Sequence, residues 1–174
     1  DCDGVILDSN KLKTQAFYNT VAPYGQKEAE AFVNYHITHG GISRYSKFQH
    51  YMAHICKTQN GTPSIDDLLK VFAHEVHTGL MGCAIAGELS YLRKQSIANW
   101  MVVSGGDQNE LRDVFGQRGI DIYFNGGIFG SPTAKKEILQ TLLDRGAIHY
   151  PGAFLGDSKL DHEVAMFAGF CMMP

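Results

Sequence analysis

The spacing of apolar residues predicts two differently built halves of the chain. In the first half, apolar residues recur every three or four positions, which predicts helices over residues 10–22 and 27–37. Two further helices are expected to begin after Ser43 and Ser64, since serine side chains commonly cap helix N-termini. The first half of the chain is therefore predicted to be almost wholly helical.

From about residue 86, short apolar runs alternate with segments of helical periodicity. Strands are predicted at 99–103, 120–124 and 153–155, and helices at 107–117, 133–145 and 161–168. This alternation favours an α/β fold with a Rossmann-like parallel sheet, whose ligand site lies at the carboxyl ends of the strands. We expect residues 1–11 and 86–174 to form this α/β core and residues 12–85 to form an inserted helical cap.

Composition limits the possible partners and the location of the protein. The 174 residues, 44% of them hydrophobic, suffice for one core and a modest second lobe. The net charge of -3 provides no basic surface for nucleic acid or a membrane, and no segment has the roughly 18 consecutive apolar residues of a membrane span. The four cysteines form no C-x-x-C pair. We therefore expect a cytoplasmic protein without nucleic-acid or membrane partners.

Both ends of the chain resemble parts of strands. Asp1 is expected at the tip of a strand that precedes it, and residues 169–174 resemble the beginning of another. We therefore expect the natural chain to extend beyond this sequence.

Small polar and charged residues fall at the predicted strand ends. These clusters are Asp1 with Asp3, Ser104 with Gly105 and Gly106, Lys135 at a helix start, and Asp157 with Asp161. Asp1 and Asp3 leave a strand on the same face, and two carboxylates about 4 Å apart repel by roughly 4 kcal/mol at an effective dielectric of about 20. A shared proton, a lysine or a divalent cation must therefore compensate this repulsion.

This set of residues fits phosphoryl transfer, which needs a nucleophile, neutralisation of the phosphoryl oxygens and an acid for the leaving oxygen. Asp1 can be the nucleophile, and Asp3 can act as the acid and base. Mg²⁺ would bind oxygen ligands from Asp1 and Asp157 and from the position of Asp3. The Ser104 hydroxyl and the N–H of Gly105 can hold phosphoryl oxygens.

The same residues carry a resemblance to a known family. The segments DCDGVILDS (1–9), VVSGGDQNELR (102–112), GSPTAKKEIL (130–139) and GDSKLDHEVA (156–165) are similar to the motifs of haloacid dehalogenase superfamily phosphatases. Within this superfamily, the chain resembles the branch of phosphoglycolate phosphatases and β-phosphoglucomutase, whose members have a helical cap. The resemblance implies Asp1 as nucleophile, Ser104 as phosphate contact, Asp157 as metal ligand and Asp161 as support for the metal or lysine.

Several assignments stay open at this point. Lys135 is favoured over Lys136 as the charge-balancing lysine, and Asp8 with Ser9 is expected to cap the first helix. The segment 40–44, with Lys47, is similar to the substrate-contacting segment of capped phosphatases and phosphomutases. Arg44 is therefore a candidate substrate contact, with an exposed surface arginine as the alternative.

The resemblance and the residues favour a Mg²⁺-dependent phosphatase acting on a small phosphorylated metabolite. The alternatives are a sugar phosphomutase that uses the same aspartyl-phosphate and a catalytically silent binding module. Phosphoglycolate, a sugar phosphate and a nucleotide all remain possible substrates, because the shape of the cap determines specificity.

Overall fold

The computed structural model describes residues 1–57 and 61–173. Residues 58–60, within the predicted cap, and residue 174, within the predicted core, lie outside the described residues. In the described part of the chain, no helix is both long and apolar enough to cross a membrane.

The first half of the described chain is helical, as the periodicity predicts. Its helices are α1 (Asn10–Val21), α2 (Gln26–Thr38), α3 (Arg44–His50), which continues as a π-helical turn (Tyr51–Ile55), and α4 (Ile65–Gly82). Both predicted serine caps are confirmed, because the Ser43 and Ser64 hydroxyls accept hydrogen bonds from the backbone N–H groups three residues later, at 3.3 and 3.1 Å.

An aromatic cluster holds these helices together. Phe17 of α1 packs against Phe32 of α2, Phe48 of α3 and Phe72 of α4, with ring centroids 4.2–5.5 Å apart. All four rings are buried, and each large buried aromatic side chain contributes on the order of 2–3 kcal/mol through removal of apolar surface from water. These rings belong to one continuous apolar core that also includes Val102, Leu111 and Phe115 of the second half.

The second half alternates strands and helices. Its elements are α5 (Leu89–Gln95), β1 (Met101–Asp107), α6 (Gln108–Gln117), β2 (Gly127–Ser131), α7 (Lys135–Asp144), β3 (Ala153–Leu155), α8 (Lys159–Phe167) and β4 (Cys171–Met173). The strand β1 pairs in parallel with β2, and β3 pairs in parallel with β4. The predicted fold class, an α/β fold with parallel strands and a helical cap, is confirmed.

Two strand predictions differ from the structure. The strand predicted at 99–103 begins at Met101 and extends through Asp107, so the glycines after Ser104 lie within it, beside an irregularity in the pairing with β2. The strand predicted at 120–124 is wrong, because this segment contains a short 3₁₀ turn and the strand follows at Gly127–Ser131. Ile120 and Phe124 are both buried, and their four-residue separation places them on one side of a helical turn.

Residues of β1 and β3, one strand from each pair, line a cavity of about 910 Å³. In the part of the chain that the structure describes, β1 bonds to β2 alone and β3 to β4 alone. Apolar side chains such as Val103, Leu139 and Phe154 line the space between the pairs. The nitrogen of Asp1 donates to the carbonyl oxygen of Leu155 at 2.7 Å, which places Asp1 at the carboxyl end of β3.

Candidate active site

A buried ion cluster joins Asp1 to the helices α7 and α8. The Lys135 ammonium lies 2.9 Å from Asp1 Oδ2 and 2.6 Å from Asp161 Oδ1. The three side chains are 1%, 5% and 0% exposed for Lys135, Asp1 and Asp161. Lys136, the other candidate, is exposed and lies over the ring of Phe167. The structure thus brings Lys135 to Asp1 and leaves Lys136 at the surface.

The start of α8 orients the Asp161 carboxylate. Ser158 and Asp161 form a capping box, in which the Ser158 hydroxyl accepts from the Asp161 N–H, at 3.2 Å, and the Ser158 N–H donates to Asp161 Oδ2, at 3.1 Å. One carboxylate oxygen of Asp161 therefore accepts from the helix cap, and the other accepts from Lys135.

Asp1, Asp157 and Asp161 form an acidic cluster in which one carboxylate oxygen from each lies within 4.8 Å of the others. Asp157 is exposed, and its Oδ2 accepts a hydrogen bond of 2.7 Å from the Asn10 side chain. Asp3 contributes no carboxylate oxygen to this cluster, and its expected part in a metal site, through a nearby backbone carbonyl, stays a prediction.

The Asp3 carboxylate is held by the first helix. Lys13 Nζ lies 2.6 Å from Asp3 Oδ2, and the Ser9 hydroxyl donates to Asp3 Oδ1 at 2.5 Å. Burial opposes ionisation of Asp3, but the Lys13 ammonium and these two hydrogen bonds outweigh it and hold the pKa of Asp3 below its ordinary value. The prediction that Ser9 caps α1 through its side chain is wrong, because the hydroxyl bonds to Asp3 and makes no cap hydrogen bond.

The glycines after Ser104 line the space in front of these acids. Gly105 and Gly106 border a cavity of about 420 Å³, together with Asp1, Asp3 and Asp157. Ser104 is fully buried, and its hydroxyl accepts the Gly106 N–H at 3.0 Å. Four of the sequence-predicted core residues therefore line one cavity, namely Asp1, Asp3, Gly105 and Asp157, whereas Ser104, Lys135 and Asp161 are buried and do not line it.

The cap forms the opposite wall of this cavity. Gly41 lies so close to Gly105 that a Cβ on Gly105 would fall against the Gly41 carbonyl oxygen. Arg44 also lines the cavity, but its guanidinium forms a two-pronged ion pair with Glu110 of α6 and stacks on Phe72. Arg44 is thus buried and not a free surface arginine, and its charge is already paired within the protein.

A histidine and a lysine extend the cap wall. Lys47 Nζ lies 2.7 Å from His36 Nδ1, and both side chains line the cavity. Burial, reinforced by the neighbouring Lys47, lowers the pKa of His36 to about 3, so the imidazole is neutral near pH 7. Burial, reinforced by Lys13, lowers the pKa of Lys47 to about 7.

Sequence reasoning did not find Lys13 or Glu110. Ser9, Lys13 and Phe17 are spaced by four residues and share the buried face of α1, so a lysine within an apolar helical stripe was the available signal. Glu110 carried no such signal, because its partner Arg44 lies 66 residues away in the chain.

Comparison with known proteins identifies the fold of this chain. Neither the protein-family models nor the curated protein sequences give a match to the chain. Among solved structures, a protein described as a predicted phosphoglycolate phosphatase from Haemophilus somnus is similar, with a TM-score of 0.72 and 18% identity over 98% of this chain and 80% of that chain. CbbY from Rhodobacter sphaeroides, solved in complex with phosphate, has a TM-score of 0.69 and 18% identity, covering 98% and 81%.

A haloacid dehalogenase-like family hydrolase from Streptococcus pneumoniae is also similar, with a TM-score of 0.65 and 20% identity over 98% of this chain and 79% of that chain. At these identities the likeness establishes the fold. The chain therefore has the fold of the haloacid dehalogenase-like hydrolases, in the form that carries a helical cap.

Proposed function

We propose that the protein is a Mg²⁺-dependent phosphatase that hydrolyses a small phosphomonoester through an aspartyl-phosphate on Asp1. The observation that carries the proposal is the placement of Asp1, its oxygen held by buried Lys135, beside a cavity that Asp3 and Asp157 also line. The described fold and the phosphate-bound solved structure with the same fold support this assignment.

In the first step, an oxygen of Asp1 attacks the phosphorus atom and the bond to the leaving oxygen breaks. Lys135 keeps the Asp1 carboxylate oriented, because its ammonium donates to both Asp1 and Asp161. The Gly105 and Gly106 segment lies where backbone N–H groups can approach the phosphoryl oxygens.

Asp3 and Lys13 together act as the proton donor in the first step and as the proton acceptor in the second. The departing alkoxide needs a proton, and the 2.6 Å contact keeps one between Lys13 Nζ and Asp3 Oδ2. In the second step the pair takes a proton from the attacking water, the bond between Asp1 and phosphorus breaks, and inorganic phosphate leaves. The lowered pKa of Asp3 keeps its carboxylate ionised, so Asp3 itself carries no proton when the water attacks.

The donor set of the acidic cluster fits Mg²⁺. Asp1 and Asp157 offer hard oxygen ligands, and the exposure of Asp157 leaves room for the waters that Mg²⁺ retains. Asp161, whose oxygens serve Lys135 and Ser158, supports this site from behind. When bound, the cation would neutralise charge on the phosphoryl oxygens.

The helical block is proposed as the cap that covers the site and excludes water during the reaction. Residues 12–85 supply it, with residues 1–11 and 86–174 as the core. Arg44 is proposed as a positioning residue that fixes the cap wall against α6 through Glu110, and its direct contact with the substrate stays a prediction.

The direct test is hydrolysis of p-nitrophenyl phosphate by the purified protein with and without Mg²⁺. We expect activity that EDTA abolishes and that Asp1→Asn reduces to background. Asp8→Asn is the matched control, because Asp8 is an exposed carboxylate of the same loop and its loss is expected to change the rate less than twofold. Asp1→Asn activity equal to wild type would refute the proposal. With a hexose 1-phosphate, release of inorganic phosphate distinguishes hydrolysis from the phosphomutase alternative.

A further inference from the structure

Four aromatic rings form a stack at the surface of the helical cap. The Tyr35 ring of α2 stacks on His39 and on His50, with ring centres 4.1 and 3.7 Å apart. The stack continues from His50 to His54, whose ring centres are 4.7 Å apart. The planes of Tyr35 and His50 differ by only 3°, so this contact holds the His50 imidazole in one orientation. The cap therefore presents two neighbouring imidazoles, one of which the protein orients in advance.

The backbone that joins His50 to His54 is of a rare kind. Helix α3 ends at His50 and continues as the π-helical turn Tyr51–Ile55, which contains His54. Residues in π-helices make up well under about 1% of globular proteins, and such turns occur frequently at functional sites. A separation of four residues along a helical segment places both side chains on the same side of it. The turn thus brings two potential ligands of one chemical type together.

The ring nitrogens of these two histidines are available to a ligand. Among the residues that the structure describes, neither His50 nor His54 has a hydrogen-bond partner. The other close histidine pair differs, because His77 of α4 is already bonded to Asp113 of α6 at 2.9 Å. Burial, reinforced by the neighbouring His54 and His39, holds the pKa of His50 below its ordinary value. Near pH 7 this favours the neutral imidazole, which is the form that binds metal ions.

The separation of the two rings suits a single metal ion. A bond between a metal and an imidazole nitrogen is about 2.0–2.1 Å long, which puts the ion about 3.2 Å from the centre of the ring. Ring centres 4.7 Å apart then correspond to an angle of about 97° at the ion. This angle lies between those of octahedral and tetrahedral coordination, about 90° and 109°. Because His54 is exposed, its ring can turn to aim a nitrogen at the same point as His50.

We propose that His50 and His54 form a chelating site for a divalent transition-metal ion of the zinc, nickel and copper class, with water completing the coordination. These metals bind imidazole well, whereas Mg²⁺ prefers oxygen ligands. Among the described residues that line the 420 Å³ cavity, neither histidine is present, so the site is separate from the acidic cluster. The inference therefore goes beyond the proposed phosphatase reaction and does not depend on it. A bound ion would tie the end of α3 to the π-helical turn.

Calorimetric titration with Ni²⁺ tests this site directly. Excess Mg²⁺ is present to occupy oxygen ligands, and a phosphine reductant keeps the cysteines reduced. The variants are His50→Gln, His54→Gln and the double variant, since glutamine retains a polar side chain but is a much poorer ligand for these metals. His74→Gln, which removes an exposed histidine of α4, is the matched control.

We expect wild type and His74→Gln to bind one Ni²⁺ per chain with the same affinity. Each single replacement in the pair should weaken binding at least about tenfold, because chelation needs both nitrogens. The double variant should bind less than about threefold more weakly than either single variant, since one remaining imidazole no longer chelates. Ni²⁺ should also raise Tm more in wild type than in the double variant, because the ion binds the folded chain.

Ni²⁺ binding that persists unchanged in both single variants would overturn the proposal, as would the absence of saturable binding below about 100 µM Ni²⁺ in wild type. Small losses in the single variants that add in the double variant would indicate two separate surface imidazoles, which also overturns chelation. Circular dichroism confirms that the variants are folded. His54 is exposed, so His54→Gln keeps the test decisive if His50→Gln disturbs the stack.

Discussion

Replacing Lys135 by methionine removes the one cation that touches both Asp1 and Asp161 in the described structure. Lys135 and Asp161 are almost fully enclosed, and their charged atoms are 2.6 Å apart. Methionine fills a similar volume, so the substitution leaves little cavity and isolates the effect of charge. The variant must therefore bury the Asp161 carboxylate without its ammonium partner.

Removal of one partner of a buried ion pair costs about 3–5 kcal/mol, because the remaining charge stays out of water. Asp161 keeps hydrogen bonds from the N–H and hydroxyl of Ser158, at 3.1 and 2.6 Å, which soften the loss. We expect the free energy of unfolding to fall by about 3 kcal/mol, a large part of the roughly 5–15 kcal/mol typical of a domain.

Urea unfolding followed by circular dichroism measures this loss. Lys136→Met is the control, since this exposed neighbour should change stability by less than about 0.5 kcal/mol. The double variant Lys135→Met/Asp161→Asn should recover about 2 kcal/mol, because the fully buried Asp161 charge is removed and only the Asp1 carboxylate is left without Lys135. A loss below about 1 kcal/mol in Lys135→Met, or no recovery in the double variant, would show that the ion cluster does not stabilise the fold in this way.

Two further predictions concern the contact between cap and core and the buried histidine. Gly105→Ala should lower kcat/KM for p-nitrophenyl phosphate at least about tenfold, because the new Cβ would displace the Gly41 backbone. Gly106→Ala should lose less, since its nearest neighbour is a flexible Leu111 carbon at 3.3 Å, and equal losses would contradict this reasoning. Burial and then Lys47 lower the pKa of His36 from 6.5 to about 3, so the unfolded chain binds more protons in this range and stability should fall as the pH drops from 6.5 to 3. In urea titrations His36→Asn should lessen this fall by up to about 1.4 kcal/mol per pH unit, and parallel profiles would contradict the prediction.

The core motifs were predictable because each is local in sequence. A polar cluster directly after a buried strand reaches the same edge of the sheet in any parallel α/β fold, so Asp1, Lys135 and Asp157 could be named before the structure. The strand expected at 120–124 failed for the opposite reason. A short apolar segment fits a strand or a helical turn equally well, and packing of Ile120 and Phe124 decides between them.

The contacts of the cap show more clearly what could not be predicted from the sequence. Arg44 was a candidate substrate contact on sequence grounds, but the structure pairs it with Glu110, and no local pattern announces a partner 66 residues away. The role of Ser9 changed for a similar reason, since its hydroxyl serves Asp3 and not the helix that it precedes.

The sequence by itself determined the class of fold, the serine caps at Ser43 and Ser64, and the set of acids, small residues and lysine that suggests phosphoryl transfer. These depend on periodicity and on chemistry carried by neighbouring residues. Only the tertiary structure decided which charges are balanced, because the distances between side chains on separate elements set that balance. It assigned Lys135 to Asp1 and Lys13 to Asp3, and it placed the buried Lys47 against His36.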